Sequence, residues 1–258
     1  MSRLEGALVC ITGASSGIGA ACAEVFARER CRLLLSARRI ERVETLASTL
    51  KKNHGVQVHT HRLDVRTQRE VERTFQSLES SWQEIDILIN NAGLARGFST
   101  VQEGSLSDWE EMIDTNIKGL LYVSRAILPG MVARGRGHVI NLGSIAGHQV
   151  YPNGNVYCAT KFAVGALTQG MKMDLLGSGV RVAAVSPGLV QTEFSQVRFH
   201  GDRERAAQTY ARTRPLTAED VAETVLFVAS RPAHVDVSEV VIMPTDQASV
   251  YHLHRSDR

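Results

Sequence analysis

Cysteine is scarce. The chain of 258 residues has four, Cys10, Cys22, Cys31 and Cys158, with no C-x-x-C pair and no partnering histidine cluster. That pattern gives no zinc site and no disulfide framework. Nine histidines are scattered without an H-E-x-x-H pair, so no metal is expected. A dominant charge is also missing: the net charge of +2 is too small to argue for a nucleic-acid or membrane partner. No stretch approaches the roughly 20 apolar residues that span a bilayer. The N-terminal "MSRLEGALVCITG" makes a poor signal peptide, because its short apolar run leads into a glycine loop and no A-x-A-like site follows. A cytoplasmic protein is the expectation.

What is present is alternation. Apolar strand-like runs, "ALVCIT", "RLLLSA", "VQVHTH", "IDILIN", "GHVINL", "VRVAAVS" and "SEVVIMP", are separated by amphipathic segments. Helices are expected from Ile40 through Leu50, and roughly over Thr67–Ser80, Ser107–Leu128, Tyr157–Leu176 and Thr217–Ala229. Pro129 and Gly130 are expected to end one of them, and Gly177 and Gly179 another. Seven strands alternating with helices predict an α/β fold: one doubly wound Rossmann domain over 1–258, a seven-stranded parallel sheet with helices on both faces. The strands are apolar at consecutive positions, as strands covered on both faces should be. The irregular, arginine-rich segment Gln191 to Arg214 is expected to carry short helices over the C-terminal edge of the sheet, where ligands bind in such folds.

The first strand runs into "TGASSGIG". Gly13, Gly17 and Gly19 let the backbone turn and approach a pyrophosphate, and the following helix offers free N–H groups at its positive end. Ser15, Ser16 and Ile18 complete this candidate cofactor loop. The second strand ends in "SARRIER", without a carboxylate where NAD would need one for its ribose. Arg38 and Arg39 stand where a 2′-phosphate would lie, and planar, permanently charged guanidinium suits that role, which points to NADP. The competing reading is a solvated start to a helix. Glu41, the nearest acid, is expected inside that helix and turned away. Asp64, in "LDV" with Val65, could accept from the adenine amino group. Asn90, Asn91, Ala92 and Gly93 place small groups where the cofactor can lie against the backbone.

Tyr157 and Lys161 are four residues apart, one face of a helix, in a chain with five tyrosines. Alone the pair could be ordinary surface packing. Ser144, 13 residues earlier, sits on the same sheet edge, and Asn116 is a polar residue inside a helix, where a bend or cap is the plainer explanation. Together the four fit alcohol oxidation. A base must take the hydroxyl proton, and lowering a phenol pKa from near 10 to about 7 requires roughly 4 kcal/mol in favour of the phenolate. A nearby ammonium and a positive oxidised nicotinamide have the right sign. Ser144 would hold the substrate oxygen, and Asn116 could fix a water that links Lys161 to solvent.

With "TGASSGIG", "LDV", "NNAG", "DTNIKG", Ser144, "YCATK" and "SPGLVQTEF" in order along the chain, the sequence resembles the classical short-chain dehydrogenases/reductases. The resemblance implies that Tyr157 is the acid/base, Ser144 orients the substrate, Lys161 holds the nicotinamide ribose and lowers the tyrosine pKa, and Asn116 supports a proton relay. It also implies that Pro187, Gly188, Val190 and Thr192 flank the nicotinamide and its phosphates. Longer stretches, among them "NGNVYCATKFAV" and "TEFSQVRFHGD", look like the NADP-dependent serine and 3-hydroxy acid dehydrogenase branch. That likeness implies hydride transfer between NADP and L-serine, L-allo-threonine or 3-hydroxypropionate-type acids, or the corresponding 3-oxo acids, by a homotetramer. Ser186 stands where that branch often has an acid, and Cys158 where it commonly has glycine. A small hydroxy acid needs a cation for its carboxylate, and Arg198 is the candidate, against the reading of a surface arginine in a polar loop. The alternatives are a broad carbonyl reductase and a catalytically silent dinucleotide-binding sensor or scaffold.

Overall fold

The computed structural model describes residues 3–256; the outer ends of the expected 1–258 domain, including the last two residues of the polar tail, lie outside them. Seven parallel strands form one sheet in the order β3-β2-β1-β4-β5-β6-β7. They are β1 (Leu8–Thr12), β2 (Arg32–Ala37), β3 (Val58–Arg62), β4 (Ile87–Asn90), β5 (Gly137–Leu142), β6 (Val180–Pro187) and β7 (Glu239–Ile242). Each falls on one of the seven expected runs, with β3 and β6 reaching one residue beyond theirs, to Arg62 and Pro187. The helices are α1 (Gly17–Arg28), α2 (Ile40–His54), α3 (Gln68–Gln76), α4 (Leu106–Ile113), α5 (Leu120–Ala133), α6 (Asn155–Asp174), α7 (Phe194–Arg198), α8 (Arg203–Tyr210) and α9 (Ala218–Ala229). The expected short helices of the irregular segment are α7 and α8.

Strand parity divides the core. Val9 and Ile11 of β1 face one way, onto Phe26 of α1 and Val221 and Val225 of α9. Leu8 and Cys10 face the other way, with Val123, Ile127 and Met131 of α5. Both sides of the central strands are therefore covered, and their apolar side chains follow one another without a polar gap. β7, on the sheet edge, departs from the expectation of two covered faces: Glu239 and Val241 are exposed and only the alternate positions are partly buried.

Two helix boundaries differ from expectation. Pro129 lies inside α5, which continues to Ala133. Proline removes one helical N–H and crowds the preceding turn, yet Ile127 and Met131 on either side are buried against the sheet and hold the last turn in place. The chain leaves the helix at Gly135, in the left-handed region at φ 64°, where glycine carries no steric cost. The expected single helix Ser107–Leu128 is interrupted by a π-helical segment, Asp114–Gly119, containing Asn116. Gly119 makes that turn possible by close approach: a Cβ there would come within 2.6 Å of Val65 Cγ2. Among the described residues, no helix is long and apolar enough to cross a membrane.

Candidate active site

The order reverses between β1 and β4, and the C-terminal ends of these strands frame the crevice where α/β folds bind ligands. The glycine loop between β1 and α1 is built for close backbone contact. A Cβ on Gly19 would lie 2.5 Å from both the Gly13 carbonyl oxygen and Asn91 Nδ2. Asn91 fastens the loop to β4, its Nδ2 donating to the Thr12 carbonyl at 2.9 Å and the Gly13 carbonyl at 3.2 Å. Above the loop lies a cavity of about 570 Å³. Every candidate site residue lines it except Gly19, Asn90 and Asn116; the Asn90 amide is spent on Ser124 and Asn141. The cradle fits a dinucleotide: side chains are missing where the loop backbone closes up, and cations stand at the far end.

Those cations are already engaged. Arg39 donates to Ser15 Oγ at 3.2 Å and Ser16 Oγ at 2.8 Å, and it pairs with Glu193 at 2.9 Å. Arg38 is 3.3 Å from Glu111, which also receives Arg66 and, at 2.6 Å, Arg96. Burial works to raise the Glu111 carboxyl, and Arg96 and Arg38 outweigh it, so its pKa lies below the ordinary value. Asp64 lines the cavity, but Arg66 grips its carboxylate at 2.5 to 3.0 Å. An adenine amino group there would share that acceptor. Glu41 is exposed in the first turn of α2.

At the other end of the cavity, Ser144, Tyr157 and Lys161 converge, each under 10% exposed. Ser144 follows β5, and its Oγ accepts from the Ala146 amide at 3.1 Å and shares a side-chain hydrogen bond with Tyr157. Tyr157 and Lys161 come from the first turns of α6. Lys161 Nζ donates to the Leu142 carbonyl at 2.8 Å and sits 3.7 Å from where a Gly93 Cβ would be. Burial lowers its pKa from 10.5 to about 8. Asn116 uses its side chain on the protein itself: Oδ1 accepts from the Leu94 amide at 2.9 Å, and Nδ2 donates to the Leu94 carbonyl and to Thr160 Oγ1. The π-helical turn thus fixes the loop after β4 against α6.

The electrostatics of Tyr157 differ from the sequence-based expectation. Burial pushes its phenol above the ordinary tyrosine value, and Tyr151 adds to this. The forces in the other direction are Arg198 and the Ser144 hydrogen bond. Arg198 is thus a cation within this chain that favours the phenolate.

Arg198, on α7, is enclosed in an aromatic box. Its guanidinium carbon lies 4.9 Å from the Tyr157 ring centroid, 5.5 Å from Phe194, 5.6 Å from Tyr151 and 5.9 Å from Phe98. Nη2 donates to Tyr151 Oη at 2.5 Å, whereas the buried Nε finds no hydrogen-bond partner among the described residues. Arg198 is only half-buried, but the four rings around it and its buried Nε set it apart from a solvated surface arginine. Sequence reasoning missed Tyr151, Phe194, Arg96, Glu111 and Glu193. Of these, only Tyr151 carried a local signal, an aromatic six residues before Tyr157.

The two departures noted in the sequence have different outcomes. Ser186 Oγ donates to Glu239 at 2.8 Å, so β7 supplies a carboxylate beside the serine, and His148 meets the same oxygen at 2.8 Å. Cys158 is fully buried with Leu94, Ala95 and Met112 and does not line the cavity. Burial pushes its thiol pKa up.

Comparison with known proteins agrees with this geometry. Residues 7–203 match the family model for short chain dehydrogenase. The NADP-dependent 3-hydroxy acid dehydrogenase YdfG of Salmonella typhi is 47% identical over 251 residues, 96% of this chain and all of that protein. Sulfoacetaldehyde reductase 2 of Chromohalobacter salexigens is 45% identical over 242 residues, 93% of this chain and 95% of that protein. Among solved structures, the closed form of serine dehydrogenase complexed with NADP+ superposes with a TM-score of 0.90 at 44% identity, over 96% of this chain and 100% of that one. With the fold, the glycine loop and the Ser144, Tyr157 and Lys161 cluster in place, the chain belongs to the short chain dehydrogenase family.

Proposed function

We propose that the protein is an NADP-dependent oxidoreductase that moves a hydride between the cofactor and a small 3-hydroxy acid of the L-serine, L-allo-threonine or 3-hydroxypropionate type, or its 3-oxo acid. The observation that carries the substrate class is Arg198. A half-buried guanidinium with a buried, unpartnered Nε, stacked against the ring of the candidate base at 4.9 Å, is an anion receptor beside the reacting centre. Bound NADP supplies the hydride acceptor and, when oxidised, a positive charge near the phenol. Gly13, Gly17, Ile18 and Gly19 would hold its pyrophosphate, and Arg38 and Arg39, with Ser15 and Ser16, its 2′-phosphate. Asp64, Val65, Asn91, Ala92 and Gly93 would border the adenosine half. Pro187, Gly188, Val190 and Thr192 would flank the nicotinamide.

In this reading Ser144 and Tyr157 take the substrate oxygen between them. Tyr157 accepts its proton during oxidation and returns one during reduction. Burial makes the phenolate costly, so the cations around it set the working pKa. Arg198 therefore has two roles: it reads the carboxylate and biases the phenol toward ionisation. Lys161 would hold the ribose, and its own charge is present below about pH 8. Asn116 acts as a positioning residue through Leu94 and Thr160.

Arg198→Ala tests the assignment. The expected loss in kcat/KM for L-serine is about a hundredfold, because the charge partner of the carboxylate is removed. A neutral alcohol should lose less, only the part that comes from the effect of Arg198 on the phenol. Equal losses for the two would show that Arg198 does not read the carboxylate. A hydroxy-sulfonate belongs in the same panel, since a guanidinium in an aromatic box binds either anion. A cytoplasmic homotetramer is part of the proposal. Its assembly is supported by exposed apolar side chains in two places, Phe162 and Met173 on α6 and Phe227 and Val241 on α9 and β7.

A further inference from the structure

We propose that Glu193 is a specificity-determining residue that competes with the cofactor 2′-phosphate for the guanidinium of Arg39, at the N-cap of α2. This rests on the NADP reading above. Glu193 reaches back over the glycine loop from the segment after β6. Its two oxygens take separate cations: Oε2 is 2.9 Å from Arg39 Nη1 and Oε1 is 2.7 Å from Arg42 Nη1. Arg39 turns its remaining donors to Ser15 and Ser16 on the loop. A carboxylate thus stands in the cationic cradle on which the 2′-phosphate assignment depends.

The electrostatic consequence has a definite sign. A phosphate monoester brings a charge of about −2 near neutral pH. It needs Arg39, and it meets Glu193 there as a like charge sharing the same guanidinium. Whether the phosphate displaces the carboxylate or settles beside it, Glu193 weakens its binding. NAD has no such group and is indifferent to Glu193. Arg39 therefore favours NADP, and Glu193 tempers that preference so that the phosphorylated cofactor is not held too tightly to exchange.

Glu193 also connects the two ends of the site. It is the residue immediately before α7, whose Phe194 packs edge-on against Tyr157 with ring centroids 5.5 Å apart. Arg198 closes the same short helix. On the other side, Arg96 donates to the Val197 carbonyl at 2.8 Å and pairs with Glu111, which pairs with Arg38. The substrate helix is thus tied by carboxylates to the arginines proposed for the 2′-phosphate, and binding coupled to such a tie is reciprocal.

The test is fluorescence titration of the full-length protein with NADPH and, separately, NADH, comparing wild type with Glu193→Gln. The amide keeps the shape at a half-buried position and removes the charge. The expected result is NADPH binding about tenfold tighter in the variant, with NADH affinity unchanged. NADPH affinity that stays the same or weakens would overturn the proposal, and so would an equal gain for both cofactors, since neither isolates the 2′-phosphate. The wild-type ratio of the two affinities tests the NADP reading separately. If wild type does not prefer NADPH, that reading fails, and the change in the ratio on substitution still decides the role of Glu193.

Discussion

Replacing Tyr157 with phenylalanine is expected to lower kcat by about 10²- to 10⁴-fold in both directions, the range attributable to a positioned acid or base. The phenyl ring preserves what the tyrosine ring does structurally: the edge contact to Phe194 at 5.5 Å and the face offered to Arg198 at 4.9 Å. Only the hydroxyl and its hydrogen bond with Ser144 are lost. The substitution therefore separates chemistry from packing. Stopped-flow measurement of hydride transfer with saturating NADP reads the step directly, and undiminished rates would remove Tyr157 from the mechanism. In wild type, oxidation should lose ground above about pH 8, where Lys161 gives up its charge.

The second large effect joins activity to stability. Lys161→Met removes a buried cation while keeping a long unbranched chain. Turnover is expected to fall by about 10²- to 10³-fold, through loss of a charge in a water-poor site. Stability relative to wild type should move the other way. The folded-state pKa of Lys161 is about 8 against an ordinary 10.5, so below pH 8 the wild-type fold carries an ammonium that the unfolded chain carries more easily. At roughly 1.4 kcal/mol per pKa unit, the cost is about 3 kcal/mol. The unfolded state binds more protons between pH 8 and 10.5, so wild-type stability rises with pH across that window. The Met variant lacks this term. Its stability relative to wild type is thus greatest below pH 8 and declines by about 3 kcal/mol toward pH 10.5. Urea denaturation at pH 7 and pH 10 measures this, and a pH-independent difference would show that Lys161 is not a desolvated ammonium.

Much of this architecture follows from local pattern. Buried parallel strands must be apolar on both faces, so the seven runs were legible, and β2 and β5 match their runs residue for residue. The glycine loop and the Tyr157 and Lys161 spacing were legible because each lies within one turn or one helix. The failures have a common cause in tertiary packing. Pro129 breaks helices as a local rule, but Met131 beyond it is fully buried and the core keeps the turn. The π-helical turn at Asn116 depends on Gly119 fitting against Val65, 54 positions away. Charge partners are harder still. Glu193 meets Arg39 across 154 residues, and Glu239 reaches Ser186 across 53, where only the folded sheet makes them neighbours. Arg198 was accessible from chemistry alone, because a substrate carboxylate demands a cation. Its aromatic box was not, since Phe98, Tyr151, Tyr157 and Phe194 come from separate parts of the chain.

The most direct measurement is the initial rate of nicotinamide reduction at fixed protein concentration. NADP and NAD are each offered with L-serine, 3-hydroxypropionate and a neutral alcohol of the same size. The expected result is turnover of the two hydroxy acids with NADP, at kcat/KM well above both the neutral alcohol and the NAD reactions. No turnover of either acid with NADP, or a neutral alcohol used as well as the acids, would contradict the assignment of Tyr157 and Arg198 to one hydroxy-acid site.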